Sequence, residues 1–153
     1  VKPNARFDVS QPDRAPIAAH QWFFVVATEQ LEMNSQNFSQ QLQALERLFT
    51  VEGYRDFIIL LQQTGAIHNL QSNDVTFDLE LITSPIGRAH GLKDDRYTWI
   101  MDSQVSFNIA FETNNISVPV NLRVLVSRSL DEDSLDGLKI RQLIVLTEDP
   151  VSN

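Results

Sequence analysis

Residues 105–126 read VSFNIAFETNNISVPVNLRVLV, and their alternation decides the fold. Val105, Phe107, Ile109 and Phe111 fall at every second position, and after a polar break so do Val118, Val120, Leu122, Val124 and Val126. A period of two places all of these on one face of an antiparallel sheet, with Ser106, Asn108, Ala110, Asn121 and Arg123 on the other. A sheet with one apolar face must be covered. The helical first half of the chain supplies the cover.

The pattern extends over residues 74–146. Val75, Phe77, Leu79 and Leu81 alternate with Thr76, Asp78 and Glu80, which predicts a half-buried strand over 74–83. Residues 84–95 hold Pro85, Gly87, Gly91 and Asp94-Asp95, too many turn formers for a strand, and read as a wide connection. A long strand follows over 96–112, with a bend or bulge expected near Met101 or Ser103. Asn114-Asn115 then turns the chain, because asparagine tolerates positive φ. The third strand spans 116–129, with Pro119 near its start where a missing donor costs least. The loop 131–137 leads to a fourth strand over 138–147, with Leu138, Ile140, Ile144 and Leu146 on one face and Lys139 and Arg141 on the other.

Before the sheet, Asp13 and Pro16 form a helix start, and Ile17, Phe24 and Leu31 keep helical spacing. The first helix is predicted over 15–33, deeply buried because Phe23, Val25, Val26 and Ala27 widen its apolar face. Phe38, Leu42, Leu45 and Phe49 mark a second helix. Thr50 is an N-cap with Glu52 in the first turn, and Val51, Tyr54, Phe57, Ile58 and Leu61 trace the third helix up to Gly65. Residues 66–73 read as a short helical turn or loop. The expected fold class is α+β: three N-terminal helices packed on a curved antiparallel sheet of about four strands. Residues 1–15 read as an extended lead-in or linker, 16–148 as a single domain and 149–153 as a tail.

The chain has 153 residues, 42% hydrophobic and 21% charged, enough for one sizeable core. Its formal charge of −8 and pI near 4.7 would repel a phosphate backbone, and no run of Lys and Arg relieves that, so direct nucleic-acid binding is not expected. Cysteine is absent, which excludes disulfides, thiolate zinc sites and a cysteine nucleophile. The longest apolar run, residues 22–27, is far short of the roughly 20 residues of a membrane helix. A start at Val1 rather than Met reads as a fragment, with any anchor or targeting signal expected upstream.

Candidate chemistry is sparse. His20, His68 and His90 fall in separate elements without metal-ligand spacing, and read as solvated or capping side chains. No glycine-flanked serine elbow points to a hydrolase triad. The acidic loop 131–137 fails as a calcium loop, since Asp136 stands where glycine is needed and Gln142 where glutamate is needed. Asp78 and Glu80 pair carboxylates, but on the solvated face of their strand. Asn37-Phe38-Ser39 and Asn115-Ile116-Ser117 match the short glycosylation pattern. Trp22, Tyr54, Tyr97 and Trp99 read as core or rim rather than as a pocket lining. No catalytic, cofactor-binding or metal-ligating residue is assigned, no cofactor is expected, and contact residues for partners stay unassigned.

Helices followed by a strongly curved antiparallel sheet are how the nuclear transport factor two-like, or cystatin-like, cone is built. Within that architecture, Phe49-Thr50-Val51-Glu52-Gly53-Tyr54 at the joint of helices two and three, Arg96-Tyr97-Thr98-Trp99 opening the long strand, and the hydrophobic strand over 122–128 resemble the periplasmic domain of the DotI/IcmL/TraM family. The resemblance covers roughly residues 15–147. It implies an inner-membrane component of type IVB secretion or conjugation systems, with one transmembrane helix upstream and this domain in the periplasm, related in fold to the eighth VirB component of type IVA systems. It further implies a non-enzymatic scaffold that self-associates, forms a homo-oligomer when anchored, and contacts other channel subunits. The competing expectation is a small-molecule enzyme or ligand-binding protein of the same cone, an isomerase or dehydratase. That reading needs an Asp, His or Tyr among the inward positions, which read as aliphatic or aromatic instead.

Overall fold

The computed structural model describes Ser10 and residues 16–147; the Asp13 cap, the rest of the lead-in and the tail lie outside the described residues. Helix α1 (Pro16–Val25) passes into one π-helical turn, Val26–Gln30. Strand β1 is the pair Met33–Asn34. Helix α2 (Phe38–Leu45) tightens into a 3-10 turn, Glu46–Leu48, and α3 (Val51–Gln63) and α4 (Ala66–Ser72) follow. Strands β2 (Thr76–Leu81), β3 (Ile86–Lys93), β4 (Arg96–Ala110), β5 (Asn115–Arg128) and β6 (Leu138–Val145) complete one curled antiparallel sheet in the order β1-β2-β4-β5-β6. Strand β3 pairs with β4 along the stretch that β2 leaves free.

The α+β class and the covered sheet are as the alternation predicts. Strands β4 and β5 pair without a slip from Thr98↔Ser127 to Ala110↔Asn115, so Phe107 faces Val118, Val105 faces Val120 and Met101 faces Val124. A one-residue slip would turn this whole apolar set outward, so the pattern fixes the register. Phe77, Phe107, Ile109, Leu122, Val124 and Ile140 are buried with Phe57, Leu61 and Trp99, while Phe111 sits half-buried at the margin. Phe49 stacks on Phe57, with ring centroids 5.1 Å apart, at the joint of α2 and α3.

Several details differ from the sequence reading, each for a local reason. Among the described residues the sheet has six strands rather than four, because Met33–Asn34 adds the short edge strand β1 and residues 86–93 form β3 and not a loop. Asp94 (φ 53°) and Asp95 (φ 65°) make a two-residue turn with both centres left-handed, the hairpin geometry that matches strand twist. The Asn114-Asn115 turn exists, with the Phe111 N–H donating to the Asn114 carbonyl, but neither asparagine has positive φ. The irregularity near Ser103 is a change of partner rather than a bulge. Strand β2 ends opposite Val105, β3 begins opposite Asp102, and the Ser103 hydroxyl donates to the Thr83 carbonyl at 2.6 Å.

True register shifts fall at Gly87/Ala89 and at Leu125/Val126 opposite Arg141. The second of these turns Leu143 inward beside Val124 and sets Ile144 beside Arg123, so Leu138, Ile140 and Ile144 do not share one face. The first helix ends before Met33, which pairs with Phe77. Its apolar residues surround it, so Phe24 and Val25 are exposed rather than buried. Val51 is 74% exposed and drops out of the α3 stripe, whose buried members are Gly53, Phe57, Leu60 and Leu61. Residues 66–72 are a fourth helix, entered through Gly65 at φ 83°, the left-handed position that glycine occupies most cheaply.

Candidate functional site

Helix α3 lies unusually close to β6. A Cβ built on Gly53 would sit 2.2 Å from the Ile140 carbonyl oxygen, so only glycine permits the approach. The Thr50 N–H donates to the Ile140 carbonyl at 2.9 Å, the Thr50 hydroxyl donates to the Arg141 carbonyl at 3.2 Å, and the Leu143 N–H donates to the Asp56 carboxylate at 3.0 Å. The same Thr50 oxygen accepts from the Gly53 N–H and caps the helix, as its sequence position predicts. The start of α3 therefore closes the outer edge of β6.

Beside this joint runs a groove of about 890 Å³, built from residues 46–56, 93–96, 127–131 and 139–142. Arg55, Lys93, Arg96, Arg128, Lys139 and Arg141 border it, half of the twelve Lys and Arg of a chain whose net charge is −8. The bulge at Arg141 takes this residue out of the strand alternation and aims it across the groove. Its guanidinium donates to the Lys93 carbonyl at 2.8 Å and pairs with the Asp94 carboxylate, tying the tip of the β3–β4 hairpin to β6. Arg96 donates to the Arg128 carbonyl at 3.3 Å.

Lys139 is buried and bridges Asp131 at 2.9 Å and Asp133 at 3.1 Å. Burial works to lower its ammonium pKa, but hydrogen bonds to the two aspartates outweigh that and hold it above the ordinary value. Asp131 shifts the opposite way, held below the usual carboxylate range by its hydrogen bond to Lys139. On the helix side, burial and then the charge of Glu46 push the Tyr54 hydroxyl up, and that hydroxyl donates to the Leu42 carbonyl at 3.0 Å. The lining can hold and orient carboxylates; its acid side chains are themselves engaged with cations or backbone at Asp94, Asp131 and Asp56.

The residues weighed in the sequence do not converge here. His20 is half-buried against Gly87, His68 is exposed on α4, and exposed His90 hydrogen-bonds the Tyr97 hydroxyl. Asp78 and Glu80 are exposed and both accept from the Asn108 amide. Trp22 and Trp99 are core, Tyr97 is half-buried, and of the four weighed aromatics Tyr54 borders the groove. Loop 131–137 is a hairpin loop ending in a left-handed Asp136-Gly137 pair, and Leu135 in it accepts from the Trp22 indole at 3.0 Å. Among the described residues no group of three or more acids and histidines could hold a metal ion.

A second cluster escaped the sequence reading. Asp102, almost fully buried in mid-strand on the face away from the helices, takes 2.8 Å hydrogen bonds from Arg88 and Arg123 and a third of 3.0 Å from Arg123. Burial raises its carboxyl pKa, yet the two guanidiniums outweigh this and hold it below the ordinary value. A signal for the pair did exist. Counting eight residues back from Ala110 and eight forward from Asn115 arrives at Asp102 and Arg123, facing partners in the ladder.

The fold is an α+β cone with a packed interior and a charged groove at its rim, and in fold it is similar to solved periplasmic domains. The structure of the periplasmic domain of DotI superposes with a TM-score of 0.75 at 21% identity, covering 89% of this chain and 98% of that one. A periplasmic fragment of TraM gives 0.71 at 14% identity, covering 85% and 94%. CagV of Helicobacter pylori, a VirB8 homologue, gives 0.56 at 7% identity, covering 84% and 96%. Comparison with curated protein sequences gives no match. Residues 2–147 match the model of the DotI/IcmL family, described as a type IVB secretion system inner-membrane complex component, and the chain belongs to that family.

Proposed function

We propose that this chain is the periplasmic assembly domain of an inner-membrane component of a type IVB-like secretion or conjugative transfer system. It acts without catalysis, through self-association and through contacts with other channel subunits, and a transmembrane helix upstream of Val1 anchors it. The observation that carries this reading, beyond family membership, is the filled space between helices and sheet. Where an enzyme of this cone would keep a pocket, Phe57, Phe77, Met101, Phe107 and Ile109 are all at most 1% exposed and pack on one another. Polar chemistry is displaced to the rim, where subunits can reach it.

The test is the state of the full-length protein extracted in mild detergent. The expected result is an oligomer that carries other secretion subunits with it. A full-length protein that elutes as a lone monomer would overturn the assembly role.

A further inference from the structure

The charges around the rim groove are sorted by wall. The sheet side carries Lys93, Arg96, Arg128, Lys139 and Arg141 against Asp94 and Asp131, and the helix side carries Glu46, Glu52 and Asp56 against Arg55. One wall is thus net positive and the other net negative. A surface made for phosphate groups gains nothing from acids along one side, and a chain of net charge −8 is repelled by a polyanion or an anionic bilayer. A polypeptide can satisfy both walls. In an extended segment successive side chains point to opposite sides, so alternating acidic and basic residues send all the acids one way and all the bases the other.

Within the groove two carboxylates already sit on the cations a partner would meet. Asp94 pairs with Arg141, and Asp131, together with Asp133 just outside the lining, pairs with Lys139; all three aspartates are exposed, while the two cations are largely buried. The fixed ends are therefore the cations, and the carboxylates are the exchangeable side of each pair. Exposed Lys93 and Glu52 stand on opposite walls.

We propose that this groove docks an extended segment of a partner subunit in which acidic and basic side chains alternate, the acids toward the sheet wall and the bases toward the first turns of α3. The proposal rests on the assembly reading above and adds to it the docking surface and the chemistry of what docks.

The experiment is an NMR titration of the isotope-labelled 153-residue chain at low ionic strength. The probe is an acetylated, amidated peptide of strictly alternating Asp and Lys. The expected result is saturable binding with Kd on the order of 100 µM, shifting the amides of Thr50, Gly53, Arg96 and Arg141 and weakening as salt is added. A block isomer of the same composition, acids first and lysines after, and a version with Asn for Asp should each bind several-fold more weakly. Lys93→Glu and Glu52→Lys, both exposed and neither bonded across the α3–β6 joint, should each weaken the probe about threefold to fivefold.

Equal binding of the block isomer, or unchanged binding in both variants, overturns the proposal. So does the absence of saturable shifts, and so does tighter binding of inorganic phosphate or of phosphatidylglycerol vesicles at the same amides. Failure here with an intact detergent-extracted complex removes the groove and leaves the assembly role. A monomeric full-length protein removes the role whatever the peptide does.

Discussion

Replacing Gly53 by alanine tests the joint on which the architecture turns. Helix propensity alone predicts a gain of about 1 kcal/mol. The structure predicts a loss. The new Cβ would lie 2.2 Å from the Ile140 carbonyl oxygen, 3.0 Å from its carbon and 3.2 Å from the Arg141 carbonyl carbon, all backbone atoms with no rotamer to yield. Carbon–oxygen contacts settle at about 3.3 Å or more, so α3 must withdraw by about 1 Å. That shift would stretch the Thr50–Ile140, Thr50–Arg141 and Leu143–Asp56 hydrogen bonds, now 2.9, 3.2 and 3.0 Å, past useful length.

Three such bonds at about 1 kcal/mol each, with about 1 kcal/mol of residual strain and the propensity gain set against them, leave a net loss of about 3 kcal/mol. The melting temperature should fall by about 6–12 °C for a domain of this size. Urea unfolding followed by far-ultraviolet circular dichroism reads it as a lower midpoint at unchanged slope. An alanine variant as stable as the parent, or more stable, would refute the close approach of α3 to β6.

Substitutions at two further positions test other parts. Asp102→Asn removes a buried carboxylate from between two guanidiniums and should cost about 2–3 kcal/mol at neutral pH. Because the folded pKa is depressed, the carboxylate's contribution is present above the unfolded value near 4 and is lost as pH falls through the folded value. The gap in urea midpoint between parent and variant should therefore close on acidification, and a gap constant from pH 7 to pH 2 would contradict the paired carboxylate. Gly65→Ala places a side chain at φ 83° and should cost about 1 kcal/mol, while Gly65→Asn should cost less because asparagine enters the left-handed region more readily. Thermal melts that rank alanine at or above asparagine would contradict the left-handed entry to α4.

Much of the fold was legible because period-two patterning on β2, β4 and β5 has a single solution once one face is buried. Thr50 was legible as a cap for an equally local reason. What sequence missed is tertiary. Residues 86–93 carry two glycines and little alternation, and they become a strand because the exposed edge of β4 and a left-handed Asp94-Asp95 turn hold them there. The faces of β6 escape its alternation because a bulge at Arg141 has no signature in composition. The end of α1 carries no boundary signal because its residues are apolar all round. The groove was invisible for a different reason: its cations are scattered singly along the chain and make no basic run.

Two local backbone features make the groove. Glycine at 53 lets α3 approach until its first turn seals β6, and the extra residue at 141 points a guanidinium across the gap to hold the β3–β4 hairpin. Fold stability and groove geometry therefore share their contacts. A substitution at Gly53, Thr50 or Arg141 would weaken the domain and deform the groove together, and a loss of partner binding in such a variant would say nothing about recognition. Lys93 and Glu52 stand at the rim, with exposed side chains outside the hydrogen bonds of the joint. Changes there alter the charge a partner meets while the joint keeps its shape, which is why recognition in this domain has to be tested from the rim.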